Sequence, residues 1–162
     1  MDSASQLLLA NLIRTQPTGA LGTLRQGAPF VSMVLYAPAA DFSAFYLHIS
    51  KLAHHTRDLE RDDRMSLMIA QPPTANEDPQ QLARLSIQGV AHPLPTDHPD
   101  YANAVTGYLT RFPQTRINFS LADFSLYSIR PQKARFVAGF GRIFNLSSDA
   151  LTAAAGTSVR PG

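Results

Sequence analysis

The sequence predicts a mainly β domain of the α+β class: an antiparallel split or closed β-barrel with helices at its periphery. Three observations carry this. About seven short runs of bulky and β-branched apolar residues are separated by breaks containing Gly or Pro. Only three segments show the three-to-four spacing of an amphipathic helix. Those helices do not alternate one by one with the strands, which disfavours a doubly wound parallel sheet. At 162 residues the chain fits one domain around one core.

The elements follow in order. Ser3 to Arg14 places Leu8, Leu9, Leu12 and Ile13 on one side of a helix, with Ser3 or Ser5 as cap and Pro17 beyond its end. Thr18 to Arg25 and Phe30 to Tyr36 flank the turn residues Gln26-Gly27-Ala28-Pro29 and make a hairpin. After a break at Ala37 to Ser43, Ala44 to Ile49 is a strand. The period then changes, because Leu52, Thr56 and Leu59 fall four and then three apart, so a helix is expected with Ser50 as N-cap. Arg64 to Ala70 is a strand stopped by Pro72-Pro73, and Pro72 to Gln81 is a polar loop. Leu82 to His92 alternates, turning Leu85 and Ile87 to one face and Arg84, Ser86 and Gln88 to the other, with Gly89 at a bulge. Asp97 and Pro99 open a helix carrying Tyr101, Val105, Tyr108, Leu109 and Phe112, aromatic and aliphatic residues of a core. Asp123 to Arg130 and Arg135 to Phe144 are the last strands, separated by Pro131 to Ala134. The Ala, Ser, Thr and Gly composition of 147–162 predicts a flexible tail after a folded domain of residues 1–146.

Composition narrows the partners. Fourteen basic residues against twelve acidic ones leave a net charge of +2, and the basic groups are scattered, which argues against a nucleic-acid-binding surface. The absence of cysteine removes disulfides and thiolate metal sites and fits a reducing, cytoplasmic location. No stretch approaches the ~20 apolar residues of a spanning helix, so no membrane partner is expected. The N-terminus lacks a secretory pattern.

The most informative stretch is Phe45 to Leu59, where a strand runs into a cationic helix start. A helix N-terminus carries roughly half a unit of positive charge and attracts anions, yet Lys51, His54, His55 and Arg57 lie in its first two turns. A bound anion would offset that repulsion. A solvated helix balanced by Asp58, Glu60, Asp62 and Asp63 accounts for the pattern equally well.

Several motifs, taken in order, resemble a known family. These are Pro29 to Tyr36, Ser50 to Leu59, Asp63 to Leu67, Gln88-Gly89, and Val137 to Arg142. Together they are similar to the flavin-binding split barrel of the pyridoxamine 5′-phosphate oxidase-like superfamily, and within it the haem-utilisation branch. The resemblance implies that Ser32, Met33 and Val34 lie against a flavin ring, and that Ser50, Lys51 and His55 hold the FMN phosphate. It also implies that Gln88 meets the ring edge, and that Phe140 and Arg142 reach across a homodimer whose flavin sites lie at the subunit interface. The apolar run Phe136 to Phe144 fits such an interface. FMN, rather than FAD or riboflavin, is the expected cofactor, and a flavin-dependent oxidoreductase the expected function. His48 and His92 read as structural. Vitamin-converting members carry an Arg-Lys pair where His54 and His55 fall, an aromatic near Val137 and a C-terminal arginine-histidine element that this chain lacks. Haem-degrading members ligate haem through a histidine beyond the last strand, and here no histidine follows His98. The alternative function is nevertheless haem binding or degradation without flavin. A third is a cofactor-free module whose dimer surface is the functional object.

Overall fold

In the computed structural model, which describes residues 1–75 and 78–157, eight antiparallel strands form one curled sheet. It begins with a hairpin of β1 (Thr18–Arg25) and β2 (Ala28–Leu35). Gln26 and Gly27 both take positive φ, 52° and 82°, the primed two-residue turn whose twist suits adjacent strands. Pro29 is tolerated because β2 is an edge strand. The others are β3 (Ala37–Pro38), β4 (Phe45–Ser50), β5 (Arg64–Ala70), β6 (Arg84–Pro93), β7 (Phe124–Val137) and β8 (Ile143–Ser147). Their order is β2-β1-β5-β6-β7-β4-β3, with β8 on the free side of β7. Only Tyr36 separates β2 from β3, yet the two strands lie at opposite ends of that order. The sheet must therefore curl into a half barrel, with an open seam between β2 and β4.

Alternation along the strands turns Leu21, Leu47, Leu67, Leu85 and Ile87 inward, where α1 (Ser3–Thr15) adds Leu9 and Ile13. The expected single core is in fact two. A second cluster of Leu94, Ala104, Tyr108, Phe112 and Leu126 lies beneath α3 (Tyr101–Arg111). Neighbouring residues of β7 thus serve different cores: Leu126 belongs to the second, Tyr127 to the first.

Three expectations are corrected. Pro131 to Ala134 is no break, for β7 runs through it as a single 14-residue strand. Pro131 pairs with Gly89, Lys133 with Gln88, and Gln132 is the extra residue of a bulge. Proline needs no ladder donor there. Gly89 admits the close approach, since a Cβ at that position would lie 2.1 Å from the Arg130 carbonyl oxygen. Phe136 to Phe144 is likewise not one strand. It folds back at Gly139 and Gly141, both with positive φ, and Phe136 is wholly buried in the barrel core instead of facing a partner. Finally, Ser148–Ala155 is a helix, α4, capped by the Ser147 hydroxyl, which accepts from the Ala150 N–H at 3.2 Å. Leu151 and Ala154 bury it against the sheet and α1, so the tail reading fails there. Residues 158–162 of that expected tail lie outside the described residues.

The helix ends are linked by arginines. The Arg111 guanidinium donates to the carbonyls of Ile13, Arg14 and Gln16 at the end of α1. Arg14 in turn donates to the carbonyls of Ala155 and, at 3.0 Å, Thr157 at the end of α4. Among the described residues no helix is long and apolar enough to cross a membrane.

Candidate functional site

The seam between β2 and β4 is the candidate site. A cavity of about 320 Å³ opens there between Met33 and Val34 on one strand and His48 and Ser50 on the other. His55 of α2 (His54–Arg61) closes one end, while Tyr108, Asn118 and Phe124 form the far wall. Phe119 lies against that wall, because its ring stacks on His48 at 3.7 Å with 7° between planes. The alternation of β4 sets His48 and Ser50 on the same face, toward the seam.

Ser32 and His55 meet directly, with the hydroxyl oxygen 3.1 Å from His55 Nδ1. This leaves Nε2 of His55 without a protein partner among the described residues. Burial lowers the pKa of His55, against a weaker opposing pull from Asp58, and burial also lowers that of His48. Both rings are therefore neutral near pH 7. His48 Nδ1 is shielded from solvent and has no hydrogen-bond partner among the described residues.

Ser50 does not cap α2. Its hydroxyl donates to the Asp123 carboxylate at 2.6 Å and accepts from the Leu52 N–H at 3.1 Å. The Lys51 N–H is taken by the Asp123 carbonyl at 2.7 Å. The helix begins after Ala53, which has no side chain for capping. Asp58, beneath it, is buried against the Thr23 hydroxyl at 3.0 Å and Arg25 at 3.5 Å, tying α2 to the hairpin. Asp58 also acts electrostatically on His55, one of the cationic residues that suggested a phosphate site. A dianion beside Ser50 would face Asp123, so the proposed FMN phosphate cluster fits poorly.

The other expected site residues scatter. Ser32 and Val34 point inward and Met33 outward, 73% exposed, so these three side chains cannot all face one ring. Lys51 is exposed and does not line the cavity. Gln88 lies on the outer face of β6, in a separate cleft. Phe140 sits at the tip of the last turn, 77% exposed. Arg142 is held within its own chain, donating to both Asp2 carboxylate oxygens at 3.2 and 3.3 Å and to the Ser5 hydroxyl. His48, read as structural, lines the cavity, and the pattern His48-Ile49-Ser50 was the signal for it. Asp123 and the aromatic wall had no local signal. No group of three or more His, Asp or Glu among the described residues is arranged to hold a metal ion.

Comparison with known proteins shows what the chain is similar to. A family model described as pyridoxamine 5′-phosphate oxidase matches residues 8–138. The heme oxygenase HutZ of Vibrio cholerae is 30% identical over 128 residues, covering 78% of this chain and 71% of that protein. The chloroplastic non-canonical heme oxygenase HOZ of Arabidopsis thaliana is 34% identical over 150 residues, 88% of this chain but 44% of its own length. A solved heme binding protein from Mycobacterium smegmatis superposes with a TM-score of 0.81 at 30% identity, over 92% of this chain and 60% of that one. The chain thus spans about half the length of two of these three relatives.

Proposed function

This chain belongs to the pyridoxamine 5′-phosphate oxidase family, and we propose that within it the protein binds haem, as ligand and substrate, in the β2–β4 seam. The observation that carries this is the Ser32–His55 pair. A ligating histidine characteristically has its second ring nitrogen held by a hydrogen bond, and Ser32 holds Nδ1 while Nε2 is left for iron. Burial keeps the imidazole in the neutral, ligating form. The wall of Phe119, Phe124 and Tyr108 suits an apolar macrocycle. Bound haem would supply the iron at which dioxygen and electrons react. The protein's share is to orient His55, exclude water with the aromatic wall, and keep His48 neutral nearby. The names of the relatives point to the same ligand, whereas of the residues expected to hold a flavin phosphate Ser50 is engaged by Asp123 and His55 by Ser32.

The cavity is open, and we read the functional unit as a homodimer that covers it. Val31 and Met33 on β2 and Met68 on β5 are exposed large apolar residues of one outer face beside the seam. The test is a titration of the purified protein with hemin, and separately with FMN. A saturable Soret band that shifts or disappears in His55→Ala supports the proposal. FMN binding without hemin binding would sink it, and a Soret band unchanged in His55→Ala would remove the assigned ligand.

A further inference from the structure

A second cleft, of about 660 Å³, lies on the outer face of the sheet across β6, β7 and β8. The register lines its polar side chains in two rows. Ser66 pairs with Gln88, Gln88 with Lys133, and Lys133 with Ser147, while Ser86 pairs with Arg135 and Arg135 with Asn145. All seven of these positions therefore share one side of the sheet. Arg135 is held in place by donating to the Asn145 side-chain oxygen at 3.0 Å. Lys133 has no ion pair, and no carboxylate lines the cleft among the described residues. Ser66, Ser86 and Gln88 make no side-chain hydrogen bond to any of the described residues. Elsewhere among the described residues Arg25, Arg64, Arg130 and Arg142 are each matched to an aspartate.

We propose that this cleft is an anion site, in which Lys133 and Arg135 receive carboxylate groups of a small organic ligand and Gln88, Ser66 and Ser86 supply neutral donors. An ammonium and a fixed guanidinium side by side suit two carboxylate oxygens or two separate carboxylates. The carboxylates have two chemical sources, the propionates of a tetrapyrrole or a free polycarboxylate. The site stands on its own geometry and does not require the haem reading of the seam. It also gives Gln88 a role that the seam does not.

The full chain would be titrated with hemin, with hemin dimethyl ester, whose propionates are neutralised, and with citrate. Absorbance reads the first two and calorimetry the third. If propionates are the source, Lys133→Gln/Arg135→Gln is expected to lose at least about tenfold in affinity for hemin and nothing for the ester. If the source is a free polycarboxylate, the same variant loses at least about tenfold in citrate affinity. Both residues are exposed, circular dichroism checks the fold, and Lys133→Arg is expected to keep the affinity that Lys133→Gln loses. Wild-type affinity for both hemin and citrate in the folded double variant overturns the proposal, as does failure of the wild-type chain to bind either. Citrate binding without hemin binding would sink the haem reading and leave this site standing.

Discussion

At the scale of single residues, the Ser32–His55 contact gives the sharpest prediction. Ser32→Ala frees Nδ1 of His55, and loss of such an orienting partner typically costs 10- to 100-fold in metal affinity, so hemin affinity is expected to fall by about tenfold or more. A Soret titration reads it. The two half-buried histidines, His48 and His55, also make stability depend on pH. Their folded pKa values lie below the unfolded value of about 6.5, so the unfolded chain binds more protons as pH falls through that range. Their contribution is complete above about pH 7 and is lost progressively as pH falls below the unfolded value. Thermal melts should therefore show a lower Tm at pH 5.5 than at pH 7.5, and His48→Asn should flatten the difference. At Gly89 a side chain meets backbone, since the Arg130 carbonyl oxygen cannot move without disturbing the bulge. Gly89→Ala is expected to destabilise by at least about 2 kcal/mol in urea unfolding. At this scale the family resemblance singled out Ser32 and His55, there for a flavin ring and its phosphate, and the alternation of the strand marked Gly89. Neither showed that Ser50 is matched to Asp123, because residues 73 positions apart in the chain leave no local pattern.

At the scale of elements, arginines serve the carbonyls at the ends of α1, whose C-cap is Gln16, and of α4, whose C-cap Gly156 is not left-handed. Arg111 is half-buried, its pKa lowered by that burial, and its guanidinium serves three carbonyls at the end of α1. Arg111→Ala removes hydrogen bonds from a charged donor and is expected to cost about 1–3 kcal/mol, measured by urea denaturation. Leu151 of α4 is wholly buried, so Leu151→Ala should cost about 2–5 kcal/mol in the same assay. A result near zero would mean that α4 is not docked. Elements with local signatures were legible: the Gln26-Gly27 turn, the alternation of β6, the periodicity of α1 and α3. Two were not. Proline at position 131 reads as a stop until Gly89 is seen opposite it, and the small residues of 148–155 read as a tail until α1 is seen against them. Both depend on a partner distant in the chain.

At the scale of the whole molecule, the exposed row of Val31 and Met33 is the basis for the proposed dimer. A charge at its centre should oppose association, so Met33→Glu is expected to shift light scattering from dimer toward monomer and weaken hemin binding with it. A wild-type protein that is monomeric at micromolar concentration would remove the dimer from the functional reading. The length of β7 has a different consequence, in time. β4 pairs with it from Phe45 opposite Ile129 to Ser50 opposite Phe124, so on the ribosome the early strand waits for the late one. At about 5–20 residues per second that delay lasts roughly 4–17 s, during which Phe45, Leu47 and Ile49 have no ladder partner on the β7 side. Nascent chains ending before Phe124 should therefore be protease-sensitive and captured by holdase chaperones, whereas chains that have exposed β7 beyond the exit tunnel should become resistant in one step.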